Sequence, residues 1–177
     1  MYNAVLTTTN NARNIDCVLE VSNNRAGRVP GPIGDLTMTL HIPSNLAVKA
    51  ILISGPERIN ALPRYFSTRA MRVEHAFFEW MGALCTEYRG GLWSMYQLSN
   101  GGFFMAPPDD VEKYRVRSTN GYTGDVSSEA MGVIVCLFAY SHLSFQSGFD
   151  AAGEQFHALR AYALDHREAA AIFAAID

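Results

Sequence analysis

Cys85, with His75 and Glu79 upstream of it, is the nearest this sequence comes to a nucleophile with a base and an orienting carboxylate. The spacing works against it: His75 lies nearly three helical turns from Cys85, too far for nucleophile and base to share a proton on one helix. All three cysteines, Cys17, Cys85 and Cys136, read better as small buried hydrophobes. The five histidines, His41, His75, His142, His157 and His166, show neither H-x-x-x-H nor H-E-x-x-H spacing, so no metal site is expected. Gly90-Gly91 and Gly101-Gly102 hint at a phosphate cradle, but they lack the following Lys-Ser/Thr of a P-loop and flank strands instead of opening a helix. No cofactor is expected.

Recognition chemistry is better represented. Trp93, Tyr96, Phe103 and Phe104 are the aromatic types that recur at interaction hot spots. Trp93 and Met95 share one strand face and read as core. Tyr96 and the Asn100-Gly101-Gly102 tip are the surface candidates, because a hairpin tip is hard to bury. Asp109, Asp110 and Glu112 form either a solvated loop or an acidic patch that docks on a basic partner. Lys113, Arg115 and Arg117 can meet DNA phosphate or an acidic protein, and an exposed strand also carries such charges simply to discourage edge pairing. Tyr96, Asn100, Gly101, Gly102, Asp109, Asp110, Arg115 and Arg117 are therefore the residues expected to touch a partner.

The elements that position them follow from periodicity. Ala47 to Ser54 is a short apolar run closed by Gly55-Pro56, a strand and then a turn. Val73, Phe77, Trp80, Met81 and Leu84 recur at helical spacing between Thr68 and Cys85, with Arg72 and Glu79 outside. Leu92 to Leu98 and Phe103 to Ala106 are two strands joined by Ser99-Asn100-Gly101-Gly102, where Asn-Gly supplies the positive φ of a tight turn; Pro107-Pro108 ends the second. Tyr114, Val116 and Ser118 alternate with the two arginines, predicting a strand with a cationic outer face, and Asn120 to Gly124 is another turn. Ser127 or Asp125 caps a helix that is apolar on most sides from Met131 to Phe145, the expected core helix. After Gly148, Phe156, Leu159, Tyr162 and Ala163 mark a second helix. Asp165 and Glu168 resemble a capping box opening a third, to Ile176. This order predicts an α+β fold: a single two-layer domain, an antiparallel sheet with helices packed on one face. Residues 1–45 stand apart, with possible strands at Ile15 to Val21 and Leu36 to Ile42 around a breaker-rich stretch from Gly27 to Gly34. They are a genuine extension, an added hairpin, or sequence upstream of a start at Met38; domain organisation is thus 1–45 and 46–177.

The block Y-R-G-G-L-W-S-M-Y-Q-L-S-N-G-G-F-F-M-A-P from Tyr88 to Pro107 closely resembles the ArdB/KlcA antirestriction protein family. Gly55-Pro56-Glu57-Arg58, Leu62 to Phe66, Phe78 to Met81, Leu84-Cys85, Asn120 to Gly124 and Glu168 to Asp177 are similar to further segments of that family, in its order. The resemblance covers about residue 47 to the end. It implies a protein that protects incoming plasmid or phage DNA from type I restriction-modification enzymes, with that machinery or an associated host protein as partner.

Composition narrows the mechanism. A net charge of −3, from 17 acids and 14 bases, cannot imitate a dozen base pairs carrying about 24 phosphates. A pI near 5.9 does not favour direct DNA binding either. Twelve Arg against two Lys suits phosphate forks, though codon bias explains it more simply. The most apolar run, Ala130 to Tyr140, is about half the roughly 20 residues a membrane span needs. Scattered, unpaired cysteines and no basic-then-apolar leader point to the cytoplasm. The leading expectation is a non-enzymatic antirestriction protein. A nucleic-acid-binding module using Lys113, Arg115 and Arg117 is the alternative, and an unrecognised enzyme with Cys85 as nucleophile the third.

Overall fold

A computed structural model of the chain describes residues 47–177 in full and, before them, the backbone of three strands: β1 (Tyr2–Asn11), β2 (Asn14–Asn23) and β3 (Met38–Ile42). These pair antiparallel in the order β1-β2-β3, with Leu6 opposite Leu19 and Cys17 opposite Leu40. β2 contains the predicted Ile15 to Val21 run; Met38 to Ile42 of the predicted Leu36 to Ile42 run form β3, and Leu36 and Thr37 lie outside the described residues. β1 lies in the Asn- and Thr-rich segment for which no element is predicted. The Gly27 to Gly34 stretch lies outside the described residues. Residues 1–46 and 47–177 form two compact units.

The second unit opens with β4 (Ala50–Ile53) and a single 3-10 turn, Gly55–Glu57. It continues through α1 (Arg58–Phe66), α2 (Ala70–Leu84), β5 (Ser94–Leu98), β6 (Phe103–Ala106), β7 (Tyr114–Arg117) and β8 (Thr123–Val126), and closes with α3 (Ser128–Ser144), α4 (Asp150–Leu164) and α5 (Ala169–Ile176). The fold is α+β. Its strands make two antiparallel sheets, β4-β5-β6 and β7-β8, where the sequence order predicts one. α1 is not predicted. Pro63 inside it removes one helical N–H, and the helix is held instead by burying Ala61, Leu62 and Phe66.

α3 is the centre of the core, as its all-round apolar character predicts, with Met131 to Leu137 fully enclosed. Ser127 caps it, its side chain accepting from Ala130 N–H at 3.3 Å. Gly132 lets α3 lie directly on β6: a Cβ there would stand 2.6 Å from the Ala106 Cα and even closer to the Met105 carbonyl. The buried Tyr140 hydroxyl donates to the Phe103 carbonyl at 2.8 Å, tying the same helix to the strand. Phe145, at the predicted apolar end of the helix, is 89% exposed. α2 buries Val73, Phe77, Met81 and Leu84, the predicted stripe, and Trp80 stacks on Phe138 at 4.8 Å.

The sequence order predicts helices on one face of the sheet; at β6 both faces are enclosed. Phe103 meets Tyr65 of α1 at 5.0 Å between ring centroids, whereas its neighbour Phe104, pointing the other way, meets Tyr162 of α4 at 5.6 Å. All four residues of β6 are buried. The predicted capping box at Asp165 and Glu168 does not form. Asp165 ends α4, and the Glu168 carboxylate reaches instead to Ser127, accepting from its N–H at 3.1 Å and from its hydroxyl. The last helix is thereby fastened to the start of the core helix.

Candidate functional site

The hairpin tip is built by its own polar groups. Leu98 N–H bonds to the Gly102 carbonyl at 2.7 Å, Gly101 adopts φ 85°, and the Asn100 side-chain oxygen accepts from Gly102 N–H at 3.1 Å. The tip does not project freely. Asn100 Nδ2 donates to the Ala158 carbonyl of α4 at 2.8 Å, and Gln155 Nε2 donates to the Gly101 carbonyl at 3.4 Å. Gly102 is buried so tightly that a Cβ would stand 2.9 Å from both Ala158 Cβ and Leu98 Cδ1. Asn100 and Gly101 keep an exposed surface, but α4 has claimed much of their hydrogen-bonding capacity.

A second group forms where the loop after α2, the loop before β7 and β7 itself converge on a cleft of about 240 Å³. Asp110, Glu87, Arg89, Lys113 and Arg115 line it, with Tyr114 and the buried Cys85 against its wall. β7 shows the predicted alternation, Tyr114 and Val116 inward, Arg115 and Arg117 outward. Neither arginine is a free cation. Arg115 donates twice to Asp125, Nε at 2.6 Å and Nη2 at 2.8 Å, and this hydrogen-bonded pairing holds the Asp125 carboxyl below the usual carboxylate range. Arg117 donates to the Thr86 hydroxyl at 2.8 Å and lies 3.6 Å from Glu87, while Lys113 lies 3.8 Å from Glu168. The Tyr114 hydroxyl donates to the Pro108 carbonyl at 2.7 Å, and burial, with the charge of Asp110 adding to it, pushes its pKa up to about 12.

Tyr96 belongs to a third group. Its half-buried ring stacks on Phe104 at 4.8 Å and 10°, Phe104 stacks on Tyr162, and Tyr162 meets His166 edge-on at 5.8 Å. Burial raises the Tyr96 pKa, and the nearby charges of Glu129 and Asp109 raise it further. The Tyr162 hydroxyl donates to Glu129. His166 Nδ1 accepts from Glu168 N–H at 3.0 Å, which leaves the ring proton on Nε2, facing Glu129 Oε2 at 3.9 Å. The facing His166 and the Tyr162 hydrogen bond outweigh burial and hold Glu129 at about 2. At 3.9 Å the histidine acts through space, and Tyr162 is the direct donor.

The eight predicted contact residues therefore fall into three neighbourhoods: Asn100, Gly101 and Gly102 against α4; Asp110, Arg115 and Arg117 around the charged cleft; Tyr96 with Asp109 near Glu129. Asp125, Glu129, Tyr162, His166 and Glu168, which organise these groups, are not among the predicted residues. Asp125 was within reach of the sequence. The turn is shorter than Asn120 to Gly124: Ser118 N–H bonds to the Tyr122 carbonyl at 2.9 Å, and Thr123 and Gly124 already belong to β8. That places Asp125 opposite Arg115 and leaves the capping to Ser127. Glu129, Tyr162 and His166 come from two separate segments and carry no joint sequence signal.

The predicted separation of Cys85 from His75 holds. His75 pairs with Glu79 at 3.2 Å on exposed helix surface, while Cys85 is buried at the other end of α2. Cys136 is fully buried, and burial drives its thiol pKa well up. Among the described residues no three His, Cys, Asp or Glu side chains come together as metal ligands, and no helix is long and apolar enough to cross a membrane.

A two-sheet α+β unit presenting neutralised charges on one hairpin and a docked aromatic hairpin beside it is a fold shared with known proteins. The family model described as "Antirestriction protein" matches residues 86–177, from the cleft loop to the end of α5. The chain belongs to the antirestriction protein family. It is 40% identical over 145 residues to the antirestriction protein KlcA of Escherichia coli, covering 78% of this chain and 98% of that one. It is 43% identical over 129 residues to the uncharacterised protein YafX of Escherichia coli strain K12, covering 71% of this chain and 85% of that one. Among solved structures it matches, with a TM-score of 0.70 and 37% identity over 77% of this chain and 99% of the other, a structure from work on KlcA and ArdB. Those two proteins are described as having a novel fold and antirestriction activity against Type I DNA restriction systems in vivo but not in vitro.

Proposed function

We propose that this chain relieves type I restriction of incoming plasmid or phage DNA in the cytoplasm, by contact with a protein of the restriction machinery or a host protein associated with it, and without catalysis. Family membership supports the role. The observation that carries the mechanism is the pairing of charges: Arg115 with Asp125, Arg117 with Glu87 and Lys113 with Glu168. A DNA mimic needs unpaired acids in a ladder, and a DNA binder needs unpaired cations. Basic side chains already paired with acids are instead suited to a protein partner that can exchange those pairs one for one. Activity in vivo but not in vitro, described for KlcA and ArdB, also suits a protein that acts through a cellular component absent from a purified reaction. The contact surface comprises Tyr96, the exposed Asn100 and Gly101 of the tip, Asp109, Asp110, Arg115 and Arg117, while the buried Gly102 supports the tip from beneath.

The test is the plating efficiency of unmodified phage on cells with an active type I system. The full chain is expected to protect relative to empty vector. Soluble protein without protection would remove the antirestriction reading. Replacing Tyr96, Asn100, Arg115 and Arg117 together by alanine, with the circular dichroism spectrum unchanged, is expected to abolish protection. Full protection by that variant would remove the surface assignment alone.

A further inference from the structure

Ser99 N–H bonds to the Lys49 carbonyl at 2.9 Å and Lys49 N–H to the Ser99 hydroxyl at 3.0 Å, which makes these two a hydrogen-bonded pair at the end of the β4–β5 ladder. Such pairs alternate along an antiparallel ladder. With Ile51 opposite Gln97 and Ile53 opposite Met95, the amides of Ile51 and Ile53 face β5. Ala50 and Leu52 then turn their N–H and C=O groups outward, to an edge that has no strand partner among the described residues. β6, the opposite edge of this sheet, is buried over all four residues beneath α3. Among the described residues of 47–177, nothing covers β4 in that way. Ile51 is 56% and Leu52 55% exposed, one on each face of the sheet. From Ala50 to Gly55 the chain has neither a charged side chain nor a proline, the devices that ordinarily protect an open edge.

We propose that this edge pairs with the same edge of a second copy of the chain, giving a two-fold dimer whose sheet runs through both protomers. Its chemistry selects the partner. A strand that joins an uncharged apolar edge must itself be uncharged and apolar, and antiparallel association about a two-fold axis lets one strand supply both sides. Hydrogen-bond parity allows two central registers. With Leu52 opposite its own copy, Ile51 meets Ile53 of the second chain; with Ile51 opposite its own copy, Ala50 meets Leu52. Either register places apolar side chains against each other on both faces and sends the two Lys49 charges to opposite ends of the joined strands. Neither a phosphate backbone nor an acidic surface finds a complement here.

The full chain is examined by light scattering across a dilution series, beside Leu52→Lys and Leu52→Pro. Proline is tolerated where an edge N–H faces outward, so both variants should keep the circular dichroism spectrum. The expected result is a concentration-dependent species of twice the chain mass that both variants lose. In a Cys17→Ser background, Ile51→Cys or Leu52→Cys should form an inter-chain disulfide under mild oxidation, while Val111→Cys should not. A chain that stays monomeric throughout, a dimer indifferent to both Leu52 variants, or absence of the cross-link at both positions would each overturn the proposal. None of these readouts depends on restriction, so failure here leaves the antirestriction reading standing, and the reverse.

Discussion

Asp125 sits directly opposite Arg115 across the β7–β8 pair and takes both prongs of its guanidinium, at 2.6 and 2.8 Å. Both side chains are exposed, so water and salt screen the pair and its effect on stability is small. Its effect on binding is larger, because the cation is already occupied. The wild-type chain is therefore expected to show only weak, salt-insensitive affinity for duplex DNA, and Asp125→Ala, which releases Arg115, should raise that affinity. Anisotropy of a labelled duplex over a salt series measures both. A wild-type affinity falling as steeply with salt as several phosphate contacts demand would return DNA as the direct partner.

Glu129 links acid sensitivity to the interface between α3 and α4. His166 and the Tyr162 hydroxyl lower its pKa from 4.5 in the unfolded chain to about 2 in the fold. A carboxyl with a depressed folded pKa stabilises the protein fully above its unfolded value, and that contribution disappears as pH falls toward the folded one. The melting temperature should accordingly drop between about pH 4.5 and about pH 2. Allowing for the partial exposure of Glu129, the contribution at neutral pH is about 1–2 kcal/mol. Glu129→Gln should lower the melting temperature at neutral pH and flatten its acid limb. An unchanged acid limb in that variant would assign the sensitivity to other carboxyls, such as Asp125 and Glu168, whose pKa values are also lowered.

What the sequence could and could not reveal divides by the range of the interactions. β5, β6, β7, α2 and α3 were legible because apolar periodicity and Asn-Gly turn chemistry are local. α1 was hidden by Pro63, since a helix stabilised by burial of Leu62 and Phe66 tolerates a residue that propensity forbids. The capping box failed because Ser127, 41 residues upstream, offers Glu168 two hydrogen bonds that its own helix start does not use. The same limit applied to the candidate site. Charge alternation on β7 was readable, but its neutralisation by Asp125 and Glu87 required the fold. Tip exposure was only partly readable, because α4 arrives under Asn100 from more than fifty residues away.

Gly132 and Gly102 each lie where a helix packs closely on the aromatic hairpin, and they should respond differently to a methyl group. At Gly132 the obstacles are backbone atoms of Met105 and Ala106, which cannot move without separating α3 from β6. Gly132→Ala should cost about 2–3 kcal/mol. At Gly102 the obstacles are side chains, Ala158 Cβ and Leu98 Cδ1. Gly102→Ala should cost about 1–2 kcal/mol, and Ala158→Gly should recover part of it as a favourable coupling in a double-mutant cycle. Denaturant titrations of the parent, the two single variants and the double variant decide this; additive losses would mean that Ala158 is not what obstructs the added methyl.

Cys85 is the residue on which an enzymatic reading would have to stand, and its surroundings do not equip it. It is buried at the end of α2, against a cleft whose Arg115, Lys113 and Glu87 pair with Asp125, Glu168 and Arg117, and His75 is engaged with Glu79 on exposed surface farther up the helix. Cys136 is farther from reactivity still: its sulfur accepts from Met105 N–H at 3.4 Å inside the core, where burial opposes the thiolate. In a Cys17→Ser background, neither remaining thiol should react with maleimide until the protein unfolds, and Cys85→Ala should protect phage as well as the parent does. Loss of protection by a folded Cys85→Ala variant, with protection kept by Cys85→Val, would indicate a packing role, because valine refills the apolar space and supplies no nucleophile. Loss in both variants together with rapid labelling of the native chain would require the catalytic reading to be taken up again.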